Sequence, residues 1–227
     1  MPATLTLTAT DGQHIAEVTV PTSLSEVTLG QWIIFISPNA PEADAVMTGL
    51  APEVLDTLSD EDRNQILELL LFLTDAGMLR ELQPSQGLYE VGACAHGLYG
   101  QAQKYFAAHP ELTRLAQGAY LYALYRNPTG STMPAQELAD THATVLAASV
   151  VDVIADCYHF VASWEHYQAG GRPQLGPQQP GLLRIAGHNP AAEWDKAYAP
   201  TPTPKPTGWL AKLGLGNPWN PDKRAVA

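Results

Sequence analysis

Residues 150–168 read VVDVIADCYHFVASWEHYQ. Val150, Val153, Cys157, Phe160, Trp164 and Tyr167 recur at alternating steps of three and four. Val151, Ile154, Tyr158 and Val161 form a second stripe beside the first. This is the period of an α-helix, and two apolar stripes imply burial on two sides. Pro134 suits the first turn of a helix, where its missing N–H costs nothing. The pattern therefore predicts one long helix over about 134–168, ended by Gly170-Gly171.

The helical signal extends upstream. Leu112 to Tyr125 is rich in Ala, Leu and Tyr and is apolar almost all round, which predicts a central helix. Asn127-Pro128-Thr129-Gly130 reads as the turn that follows it. A further helix is expected over 96–107, broken by His109-Pro110. Ser59 caps another, with Asp60, Glu61 and Asp62 in its first turn and Ile66, Leu69, Leu70 and Leu73 along one face. Asp75-Ala76-Gly77 is the expected stop. Residues 42–57 suggest short helical pieces, one of them opened by Pro52. Thr28 and Gln31 have capping-box spacing ahead of Trp32-Ile33-Ile34-Phe35-Ile36, which predicts a short helix over 29–36, with a buried strand as the rival.

The start of the chain differs. TLTLTAT (4–10), Asp11-Gly12 and HIAEVTV (14–20) form two alternating β-branched arms around a turn dipeptide, and Pro21 ends the second arm. This predicts a β-hairpin that must pack on something to persist. The end differs too. Residues 172–192 carry Pro, Gln and Gly, and PTPTPKP (200–206) suits a stiff polyproline spacer. The fold expected is thus mainly α: a helical bundle with an N-terminal hairpin (1–22), a helical body (23–170), an extended Pro/Gly-rich linker (171–207) and an aromatic C-terminal segment (208–227).

The 227 residues suffice for one sizeable domain with appendages, and 45% apolar content allows a core. No apolar run reaches the roughly 18 to 20 residues a membrane helix requires, and the first residues lack the basic and apolar regions of a secretory signal. Net charge is −11, concentrated in residues 1–100, which hold 14 acidic residues against Arg63 and Arg80. That half should repel phosphate backbones, so neither nucleic acid nor membrane is an expected partner. It suits simple solvation or a partner with a basic face. Cys94 and Cys157 make neither a disulfide framework nor a metal motif, and are expected to act as small hydrophobes.

The best candidate chemistry is Asp152, Asp156 and His159, with His166 further on. Their spacing places them on one helix face, where a carboxylate pair with imidazole could hold a divalent metal or move protons. The alternative is the polar face of an amphipathic helix. There is no HExxH, phosphate loop or GxSxG elbow to enlist Ser149 and His142, so no cofactor, catalytic group or metal is expected. Aromatics in 99–125 could line a pocket or fill the core. His14, His96, His109 and His188 read as structural or solvated. Trp209, Leu210, Leu213 and Trp219, beyond the spacer, are candidate partner-binding residues, because Trp anchors dominate binding hot spots. They would dock on the chain's own body, on a partner or on a second copy.

Residues 21–31, PTSLSEVTLGQ, resemble an opening seen in tail-region proteins of phages infecting Bacteroidetes: Pro-x-Ser, a short gap, then Glu-hydrophobic-Thr-hydrophobic-Gly-Gln. The acidic helix at 59–73 and LYALYRNP (121–128) are similar to later features of such proteins, so the likeness runs loosely over 15–165. It implies a phage morphogenesis protein without catalytic residues, either a tail assembly chaperone or a minor virion component of the tail or neck. Its expected partners are other phage structural or assembly proteins, or copies of itself. Its expected location is the host bacterial cytoplasm or the virion. The other readings are a metal-binding helical protein or enzyme using Asp152, Asp156 and His159, and a small adaptor binding through its C-terminal Trp segment.

Overall fold

The computed structural model describes residues 1–94, 96–126 and 132–170. The predicted turn at 127–130, the linker at 171–207 and the segment bearing Trp209, Leu210, Leu213 and Trp219 lie outside the described residues.

The described chain is mainly helical, with an N-terminal two-stranded antiparallel hairpin. Strand β1 (Ala3–Thr8) pairs with β2 (His14–Val20). Leu5 and Leu7 lie opposite Val18 and Ala16 on the inner face, while Thr4 and Thr6 lie opposite Thr19 and Glu17 outside. Gly12 has φ +83°, and its N–H donates to Ala9 O at 2.8 Å. A residue without Cβ takes that left-handed position without strain. Residues 57–62 cover the turn end of β1: Ser59 N–H donates to Thr8 O at 3.1 Å, and Thr8 N–H donates to the Asp62 carboxylate at 2.7 Å.

Helix α1 (Leu29–Phe35) starts where the capping box predicts, with Gln31 N–H donating to Thr28 Oγ1 and Thr28 N–H to Gln31 Oε1. Two short helices follow, α2 (Ala43–Thr48) and α3 (Pro52–Leu55), the latter opened by Pro52. Ser59 caps α4 (Asp60–Leu69) by accepting from Asp62 N–H at 3.2 Å. The expected stop at 75–77 is not where the α-helix ends. It gives way at Leu70 to 3-10 turns that run to Glu81. Leu70, Leu73, Ala76 and Leu79 are all buried, and their three-residue spacing fits a three-residue turn better than an α-turn.

Helices α5 (His96–Ala108), α6 (Arg114–Tyr125), α7 (Ala135–Ala147) and α8 (Val150–Gln168) complete the bundle. Helix α6 is central, with Leu115 and every residue from Gly118 to Tyr125 buried. It crosses α8 so closely that a Cβ on Gly118 would sit 2.6 Å from Cys157 O. Trp32, Tyr125 and Phe160 are among the largest fully buried side chains. Each such side chain contributes on the order of 1.5–3 kcal/mol by leaving water.

A second expectation is corrected. Residues 134–168 form two helices, interrupted at Ala148 and Ser149. Ala148 and Ser149 are extended at ψ 155° and 136°. The backbone there bonds to the N-terminal region instead: Leu29 N–H donates to Ala148 O at 2.9 Å, and Val150 N–H to Val27 O at 2.8 Å. Those two bonds compete successfully with helix continuation.

Candidate functional site

Helix α8 places Asp156, His159 and Ser163 one above another, at steps of three and four residues. All three are buried, at 2%, 5% and 3% exposure, so they are not a solvated polar face. They hold the backbone of the segment that leads into α5. Asp156 Oδ1 accepts from Ser85 N–H at 2.6 Å and Oδ2 accepts from the Ser85 hydroxyl at 2.9 Å. His159 Nε2 lies 3.4 Å from Tyr89 O, and Val91 N–H donates to Ser163 Oγ at 2.8 Å. This clasp supplies partners to a stretch that has little regular structure of its own. The cost of burying a carboxylate is offset by the two donors from one serine.

Asp152 stands apart from that group: it is exposed in the first turn of α8, as is His166 near the far end. The structure therefore brings Asp156 and His159 together through the strap and leaves Asp152 and His166 outside it. Among the described residues, no group of three or more His, Cys, Asp or Glu could hold a metal ion. Ser149 Oγ is buried and has no hydrogen-bond partner, so it is not activated by His142. His142 is pushed down by burial and packs edge-on against Tyr120. Burial pushes the Cys94 thiol up to about 11 and the Cys157 thiol well above its ordinary value. Neither is a thiolate nucleophile near neutral pH, as the small-hydrophobe reading requires.

The aromatics of 99–125 pack on one another. Tyr99 stacks on Trp164 at 4.6 Å, Phe106 meets Trp164 edge-on at 5.4 Å, and Tyr105 lies flat on Tyr120 at 3.8 Å. Their faces are used in packing α5, α6 and α8 together.

A second polar group emerges only in three dimensions. Arg63 reaches Glu42 at 2.8 Å, Asp44 at 3.3 Å and Asp56 at 3.6 Å, tying α2, α3 and α4 together. Asp44 is fully buried, so Arg63 supplies the opposite charge that its carboxylate needs. The signal in the sequence was the rarity of positive charge there. Ser85 and Ser163 carried no comparable signal.

The segment 21–31 is architectural. Glu26 accepts from Thr22 N–H at 2.8 Å, Thr28 caps α1, and Val27 and Leu29 bond to the α7–α8 junction. Gly30 lets α1 approach closely, since a Cβ there would lie 3.2 Å from Leu146 O. Among the described residues, the exposed large apolar side chains are Met1, Ile34, Leu71, Met78 and Tyr89. No described helix is long and apolar enough to cross a membrane. No protein-family model matches the chain, nor does any curated protein or solved structure.

Proposed function

We propose that this chain works by binding other proteins, as a phage morphogenesis protein that is either a tail assembly chaperone or a minor virion component. The observation that carries the binding reading is the use made of its reactive side chains. Asp156, His159 and Ser163 clasp the chain's own backbone. Arg63 closes its own acidic cluster. Among the described residues, the surface offers an acidic first half, with Ile34, Leu71, Met78 and Tyr89 exposed at roughly half. The phage reading is supported by the resemblance of 21–31, whose residues build the seat between α1 and α8 and so favour a shared fold over a shared partner site.

The experiment is co-expression with the tail-tube and tape-measure proteins of the same genome, followed by mass spectrometry of purified particles. A chaperone forms a complex with one of them and is missing from particles. A virion component is present at fixed copy number. Absence from both the complexes and the particles would refute the proposal.

A further inference from the structure

The hairpin is a sheet of only two strands, so each strand has an outer edge whose backbone N–H and C=O groups face away from its partner. The two edges are treated differently. On β1 the turn end is covered, because Ala9 pairs with Leu58, Thr10 N–H donates to Thr57 O and Asp62 accepts from Thr8. On β2 no described residue outside the ladder hydrogen-bonds to the backbone of residues 14–20. Among the described residues, the groups of β2 that face away from β1 therefore have no backbone partner.

The side chains along that edge alternate. Val18 and Val20 are buried on the core face, while Glu17 and Thr19 are exposed on the other. β2 contains no proline and no lysine, and its one irregularity is the bulge residue Ile15, left unpaired between Ala16 (opposite Leu7) and His14 (opposite Thr8), so residues 16–20 form the regular part of the edge. The one charged residue is Glu17, which lies opposite Thr6 and forms no ion pair with a described residue. A second copy pairing in antiparallel register about Glu17 would set two carboxylates face to face, which is destabilising. A basic strand meets the opposite situation, and the strong negative charge of residues 1–100 would draw it in.

Resting on the reading that the chain acts by binding proteins, we infer that the β2 edge takes an extended segment of a partner protein as a third strand, with Lys or Arg opposite Glu17. Main-chain bonds supply the affinity, and the charge pair sets the register.

The test uses the full chain and a capped heptapeptide, Val-Thr-Val-Lys-Val-Thr-Val, titrated to millimolar concentration while backbone amides are followed by NMR. Two counterparts serve as controls, one with a central Glu and one N-methylated at alternate residues. The Lys peptide should shift the amides of 16–20 and slow exchange of those that face away from β1, and the N-methylated peptide should not. Glu17→Lys, an exposed change, should weaken the Lys peptide about fivefold and favour the Glu peptide. Binding that ignores N-methylation, or that shifts residues elsewhere, would overturn the inference. So would protection in the free chain of those amides of 16–20 that face away from β1: protection growing with concentration identifies a second copy, and constant protection identifies the chain's own remaining residues. If the peptide fails while a co-expressed tail protein still binds, the edge site falls and the proposed function stands.

Discussion

Gly118→Ala adds one methyl group where α6 crosses α8. The new Cβ would lie 2.6 Å from Cys157 O, and 3.0 Å from both Cys157 C and Val161 Cγ2. The two nearest atoms are backbone, so no side chain can swing aside. The helices must part by several tenths of an ångström, loosening the buried contacts of Leu121, Phe160 and Val161. Overpacking of this kind costs about 3 kcal/mol or somewhat more. Alanine returns about 1 kcal/mol through its helix propensity. The net expected loss is about 2 kcal/mol, a fall of roughly 4–8 °C in Tm for a body of this size. Gly100→Ala is the control: it sits within α5, and nothing lies within 4 Å of its added Cβ. The same methyl there should stabilise the protein by roughly 0.5–1 kcal/mol. Urea denaturation followed by far-UV circular dichroism reads both. A Gly118→Ala variant as stable as the parent would refute the close crossing of α6 and α8.

Asp156→Ala removes the acceptor for both Ser85 donors; it should cost about 1–3 kcal/mol and speed amide exchange at 85–91 more than in α6, which mass-spectrometric exchange would resolve. The Thr8 hydroxyl, then the Thr8 N–H, hold the Asp62 carboxyl below its ordinary range. A carboxyl lowered in the folded state contributes stability above its unfolded pKa and loses it as pH falls through the folded value. The urea midpoint should therefore drop on acidification below about pH 4, and Asp62→Asn should flatten that part of the profile. Cys157, fully buried, should react with a thiol reagent at pH 8 only on unfolding in urea, and half-buried Cys94, its thiol pushed up to about 11, should react slowly in the native protein; fast native labelling of Cys157 would contradict its burial.

What the sequence determined by itself is local. Thr28 with Gln31, Ser59 with Asp62, Pro52, Gly12 and Gly170 each act within a few residues, through one hydrogen bond or one backbone angle, and their elements begin or end beside them. The apolar stripes of α8 and the all-round apolarity of α6 likewise report burial directly, because transfer from water depends on the side chain alone. Tertiary structure decided the rest. The break at Ala148 and Ser149 carries no proline or glycine, and it exists because Val27 and Leu29, more than a hundred residues away, offer its backbone other partners. Asp156 and His159 had the spacing of a metal or acid–base pair, and only the return of 85–91 across α8 turned them into a clasp. Gly118 looked like any helical glycine until α8 lay against it. In each case the deciding atom belongs to a distant part of the chain, and helical periodicity holds no record of it.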